Sequence, residues 1–152
     1  MERFVYPAQT TSDEKDGGFV VEFVDFPEAV TQGDDIVEAF AAASDCLEEV
    51  IANRIVMGLP IPKPSGIKKG QFHVVLSAQI AAKAALYLSL QKTKITKMEL
   101  ARRLKCDEKE VRRLLDPHHQ SKLPRIESAL AAMGQKLIVG YASQQNESIC
   151  VR

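Results

Sequence analysis

Lys109, Arg112 and Arg113 stand in one short segment, Glu108-Lys109-Glu110-Val111-Arg112-Arg113-Leu114-Leu115, where Val111 and Leu114 share the opposite side of a helix. That spacing turns three cations outward together, as binding to a polyanion requires. An arginine can pair two donors with a guanine edge or clamp a phosphate, and Glu108 could accept from cytosine. Asp107 stands at the start of the segment. Lys97 and Lys122, with Lys94 and His119, flank it and suit phosphate contacts. The plain alternative is that each of these side chains is merely solvated.

A second group is acidic: Glu22, Asp25, Glu28, Asp34 and Glu38, with Phe26 among them as an apolar anchor. These carboxylates suit a basic partner, although Asp25 and Asp34 also fit turn and cap roles and Phe26 fits a core. Metal-dependent hydrolysis would also use clustered carboxylates, and Asp13, Glu14, Asp16, Glu22 and Asp25 are numerous enough to raise it. The first three sit in a polar loop, however, and Glu22 and Asp25 point to opposite sides of an extended strand. No enzyme activity, cofactor or metal is therefore expected. His118-His119 lacks a carboxylate or cysteine at ligand spacing. Cys46, Cys106 and Cys150 are odd in number and widely separated, which fits reduced thiols and not a disulfide framework.

The 152 residues balance 20 Lys+Arg against 20 Asp+Glu, with 45% apolar content, an ordinary composition for one or two small domains with a buried core. The balance conceals a division. Met1 to Gly70 carries 6 basic and 13 acidic residues, a net of −7, while Gln71 to Arg152 carries 14 and 7, a net of +7. Two partners of opposite charge, or mutual attraction of the halves, would each account for this. Met1-Glu2-Arg3-Phe4 lacks the layout of an export signal, and no apolar run of about 18 residues is present, so a cytoplasmic protein without a membrane span is expected.

These residues require elements to position them. Phe4-Val5-Tyr6-Pro7 and Phe19 to Val24 read as a hairpin, with Phe19, Val21 and Phe23 on one face and Glu22 on the other. A short strand near Ala29 to Thr31 leads to Gly33, suited to positive φ, and Asp34, suited to capping a helix from Asp35 to Val56. Ile36, Phe40, Ala43, Leu47 and Val50 form the stripe of that helix, whose outer surface is acidic. Three prolines make residues 58–66 a stiff connector to a strand over Gln71 to Leu76. Ser77 then caps a helix reaching Gln91, with Ile80, Ala84 and Leu88 on one face.

Thr96 and Glu99 form a capping-box pair, and the helix they start breaks at Cys106-Asp107 before the cationic helix. Leu100, Leu104, Val111 and Leu114 meet as a small core, with Ala101 permitting a close crossing, the pattern of a helix-turn-helix. The turn puts Lys105 where a left-handed residue is usual, at a cost of roughly 1 kcal/mol. A third helix begins near Ser121, carries Ile126, Leu130 and Met133, and ends at Gly134. One recognition helix reads few base pairs, so a dimer is expected. Lys136 to Tyr141 is β-prone and could pair across its axis, while residues 142–152 form a flexible tail. The domains are accordingly 1–76, 77–141 and that tail.

Taken whole, the sequence resembles the HicB family of antitoxins in its helix-turn-helix version. The resemblance lies in Gly18-Phe19-Val20-Val21-Glu22-Phe23-Val24-Asp25-Phe26-Pro27-Glu28-Ala29-Val30-Thr31-Gln32-Gly33-Asp34-Asp35, in Glu99 to Leu104, in Arg113 to Asp116 and in Ala129 to Leu137. Val24 and Glu28 depart from the usual proline and glycine of the signature. The resemblance implies an α+β chain: a partial RNase H-like sheet with a packed helix, then a Cro/repressor-like helix-turn-helix domain. It further implies that the first domain masks a HicA-like mRNA-cleaving toxin and the second binds double-stranded operator DNA and represses the operon, as a homodimer or homotetramer. The acidic group would then contact toxin. A regulator whose N-terminal domain binds a ligand or another protein is the alternative.

Overall fold

The computed structural model describes residues 3–142. A four-stranded antiparallel sheet has the order β3-β2-β1-β4, formed by β1 (Val5–Ser12), β2 (Phe19–Phe23), β3 (Val30–Gly33) and β4 (Gln71–Val75). β1 lies in the interior of the sheet, with Ala8 opposite both Phe23 and Phe72. Its ladder therefore continues through Gln9-Thr10-Thr11-Ser12, which sequence patterning assigned to a polar loop: pairing, not side-chain polarity, sets the strand's length. Alternation sends Tyr6, Ala8, Val21, Phe23 and Val74 into the core and leaves Glu22 and His73 outside.

Helix α1 (Ile36–Met57) covers the inner face with Ala39, Ala43, Leu47 and Ile51, each fully buried at intervals of four. Phe40 and Val50, assigned to the centre of the stripe, flank it instead, Phe40 against the Phe72 ring at 4.4 Å. The N-cap is Asp35 and not Asp34: its Oδ1 accepts from the Glu38 amide at 2.8 Å. Glu38 Oε2 accepts from the Asp34 amide, one residue before the cap, also at 2.8 Å, and so ties the entry of the helix. Gly33 does not have the expected positive φ. A Cβ there would lie 2.3 Å from the Ala39 nitrogen, so glycine serves close approach of strand and helix.

Gly58 ends α1 in the left-handed region at φ 69°. The proline connector is then tied down along its length. Arg54 donates to the Pro60 carbonyl at 2.6 Å, Tyr6 to Pro62 at 2.9 Å and Tyr87 to Leu59 at 2.8 Å, while Ile61 enters the core.

α2 (Ala78–Thr93) belongs to both hydrophobic cores. Ala84 and Tyr87, with partly buried Ile80, Ala81 and Leu88, join the sheet–α1 core; Ala82 and Leu86 join a second core. Ser77 occupies the N-cap position without a side-chain cap bond. The second core is completed by α3 (Lys97–Leu104), α4 (Glu108–Leu115) and α5 (Leu123–Ala132). α5 starts from Lys122, next to Ser121 as expected, with Pro124 in its first turn. Gly134 follows it at φ 72°.

The expected strand from Lys136 to Tyr141 is absent: this segment is irregular. All four strands of the described residues lie in the N-terminal sheet, so it has no ladder partner among the described residues. Leu137 packs on the second core, whereas Ile138 and Val139 are 66% and 64% exposed. The tail expected to be flexible lies, from residue 143 onward, outside the described residues.

Candidate functional site

The basic surface is built on α3, α4 and the turn between them. Thr96 Oγ1 accepts from the Glu99 amide at 3.1 Å and so starts α3, but Glu99 does not reach back as a capping box would. Its carboxylate instead receives Arg102 at 2.7 Å and Arg103 at 2.9 Å, which hold its pKa down at about 2. Lys105 takes the left-handed turn position, φ 53° and ψ 43°, and its amide bonds back to α3. Leu100, Val111 and Leu114 are buried and Leu104 is half-buried, so the expected small core joins the two helices.

The acids at the start of α4 are all engaged within the chain. Asp107 is the N-cap, its Oδ1 accepting from the Glu110 amide at 2.8 Å. Glu108 pairs with Arg112 at 2.8 Å, one turn along, and Glu110 pairs with Arg125 of α5. Asp107 and Glu108 thus have structural partners, and Arg112 is held beside a carboxylate. Lys109 and Arg113 are exposed, and among the described residues no hydrogen bond or ion pair engages their side chains. Lys97, Lys94, Lys122 and His119 are exposed as well. His119 Nδ1 lies 3.4 Å from Ser121 Oγ. Internal neutralisation of the acids leaves α4 with an outward cationic face, which can meet phosphates or base edges.

The acidic group does not converge on one spot. Glu22 is exposed on the outer sheet face, 3.5 Å from the Gln9 amide nitrogen. Asp25 accepts from the Ser65 amide at 2.9 Å and from the Ser65 hydroxyl, fastening the connector. Glu28 is paired with Arg54 at 2.7 Å; burial opposes ionisation there, but its own amide and the guanidinium prevail and lower its pKa. Phe26 is fully buried, edge-on to Tyr6 at 4.9 Å and with the Arg54 guanidinium 5.0 Å from its ring centre. It is a core residue and presents no anchor to a partner. Asp34 is exposed and Glu38 forms the α1 cap. Asp45 and Glu49 of α1 are also open to solvent and lie off its buried stripe.

Patterning missed Lys83, fully buried on α2, and Ser121, which receives it at 2.6 Å. The available signal was that Lys83 is the only charged residue between Ser77 and Gln91.

No helix of the described residues is long and apolar enough to cross a membrane. Residues 5–85 match the family model described as HicB_like antitoxin of bacterial toxin-antitoxin system. The chain is 34% identical over 132 residues to Antitoxin HicB of Escherichia coli strain K12, covering 87% of this chain and 95% of that protein. Antitoxin HicB 2 of Photorhabdus laumondii is 37% identical, with 87% and 92% covered. Antitoxin HicB of Pseudomonas fluorescens is 31% identical, with 83% and 87% covered. These relatives are antitoxins and not enzymes, in agreement with the non-enzymatic reading. With the sheet, α1 and the first half of α2 inside the matched span, the chain belongs to the HicB-like antitoxin family.

Proposed function

We propose that the acidic N-terminal half, residues 1–76, binds and masks a small HicA-like ribonuclease, and that residues 77–141 bind operator DNA and repress the operon encoding both proteins. In this reading the sheet with α1 is a partial RNase H-like unit and α3–α4 a Cro/repressor-like helix-turn-helix. The observation that carries it is the charge division, −7 against +7, in a chain of an antitoxin family. A ribonuclease that handles RNA needs a basic surface, which an acidic face can approach fast and cover. Toxin contacts are assigned to Glu22, Asp34 and Glu38, with Glu28 contributing the oxygen not paired with Arg54 and Asp25 contributing its charge from beside Ser65.

DNA contacts are assigned to Lys109 and Arg113 on α4, Arg112 by exchange of its Glu108 partner for phosphate, and Lys97 and Lys122 at the flanks. Asp107 and Glu108 act by shaping α4. Two copies place two such helices on a two-fold site, and residues 136–141, without a ladder partner among the described residues, are the segment assigned to join them. A tetramer would pair two such dimers.

The test follows RNA cleavage by the purified product of the small reading frame beside this gene while the full chain is titrated in. Loss of cleavage near equimolar addition is expected. Undiminished cleavage, with the chain folded, removes the antitoxin assignment for that partner.

A further inference from the structure

We infer that Lys83 is a positioning residue for the cationic helix: its buried ammonium, reaching from α2, fixes the C-terminal end of α4 and the loop that follows it. The Nζ donates to the Arg113 carbonyl at 3.0 Å, to the Leu114 carbonyl at 2.7 Å and to Ser121 Oγ at 2.6 Å. An ammonium has three protons, and all three are used. Both carbonyls lie at the end of α4, where the helix dipole is negative; that of Arg113 also accepts from the Asp116 amide at 3.3 Å. A cation therefore satisfies there what another turn of helix would have supplied.

The groups facing this ammonium are few. Asp116, just beyond α4, favours its charge, and burial disfavors it. From the loop, His119 meets the same Ser121 hydroxyl on its other side, and Gln79 of α2 donates to the Ser121 carbonyl at 3.2 Å. The side chains of Arg113 and Lys122 point to solvent. Two of the proposed DNA contacts are thus bonded to, or adjacent to, atoms that Lys83 holds. Arg113 lends its carbonyl to the clamp and its side chain to the surface; Lys122 follows Ser121 directly.

α2 is anchored on its other face in the sheet core through Ala84 and Tyr87. The clamp consequently fixes α4 relative to the antitoxin's sheet as well as to its neighbouring helices. Its consequence for DNA rests on the operator-binding reading; the clamp itself does not.

The experiment compares full-length wild type, Lys83→Met and Ser121→Ala by amide hydrogen exchange and by binding to a labelled duplex taken from upstream of this gene. In Lys83→Met, amides at the end of α4 and over residues 116–122 should exchange about tenfold faster, the scale of a lost charged hydrogen bond, while sheet and α1 amides are unchanged. Duplex affinity should fall about tenfold with an unaltered slope against salt, because no phosphate contact is removed. Ser121→Ala should move both readouts in the same direction by a smaller factor. Unchanged exchange in both variants overturns the clamp, as does uniform acceleration across the chain in both. A shallower salt slope in Lys83→Met would make Lys83 a direct contact and overturn positioning. Failure of wild type to bind the duplex, with the local exchange effect intact, would remove the DNA reading and leave the clamp standing.

Discussion

Gly33 shows how a single missing side chain can set the spacing between sheet and helix. The nearest atoms to an added Cβ are backbone atoms of Glu38 and Ala39, and no rotamer change relieves a backbone clash. Gly33→Ala should therefore cost about 2–4 kcal/mol, the range of severe overpacking, and urea unfolding would register it as a lower midpoint. A midpoint within error of wild type would contradict the close approach. Lys83 gives a second prediction at this scale. Burial lowers its pKa from 10.5 to about 8, so between these values the unfolded chain binds more protons than the folded one. Stability contributed at this site must then rise with pH across that window. Wild type should gain on Lys83→Met in melting temperature between pH 8 and pH 10; a constant difference would refute the depressed pKa. Glu99, held near pKa 2 by Arg102 and Arg103, behaves oppositely. Its pairing is present above its ordinary value of 4.5 and lost as pH falls towards 2, which a carboxyl-carbon titration by NMR would read directly.

At the scale of elements, two helices end on lysine in a conformation that suits glycine: Lys94 after α2 at φ 54° and Lys105 after α3 at φ 53°. Each carries a left-handed backbone cost, so Lys105→Gly should stabilise the chain by up to about 1 kcal/mol and raise its melting temperature by several degrees. A decrease would mean that the lysine side chain contributes more than its strain. This turn was legible in the sequence because cap residues, apolar spacing and the α4 sequence all place it at one position. α4 itself, Glu108 to Leu115, was legible end to end for the same reason. Other features depended on distant partners. Strand β1 extends through Gln9 to Ser12 because neighbours on both sides pair with it, and Phe26 is buried because Tyr6 and Arg54 enclose it. The apolar residues of 136–141 signal β propensity, but propensity supplies no partner, and none is present among the described residues. Asp34 and Asp35 are chemically equivalent caps, and only the backbone of Gly33 packed on α1 decides between them. For the candidate site, cations on α4 were visible from periodicity, whereas the internal pairing of Asp107, Glu108 and Glu110 required their neighbours' positions.

Over the whole molecule, α2 is the element through which the acidic and basic halves are joined, since its opposite faces enter the two cores. A helix buried on both sides transmits position better than a flexible linker, and the charges of the two halves are therefore held on separate, fixed surfaces. This geometry sharpens the electrostatic prediction for the toxin. Glu38 is an unsuitable probe because its reversal would also break the α1 cap. Asp45 and Glu49 are exposed on the same helix and their side chains form no hydrogen bond or ion pair among the described residues, so reversing both to lysine changes the acidic half from −7 to −3 while leaving the fold's contacts in place. Association with a basic ribonuclease, followed by stopped flow at low salt, should slow by about tenfold, and the decline of rate with added salt should become shallower. Dissociation should change less, because long-range charge acts mainly on encounter. Equal association rates and equal salt dependence for wild type and the double variant would sink electrostatic steering by α1 and assign toxin recognition to Glu22 on the sheet, Asp34 just beyond β3 and their surroundings.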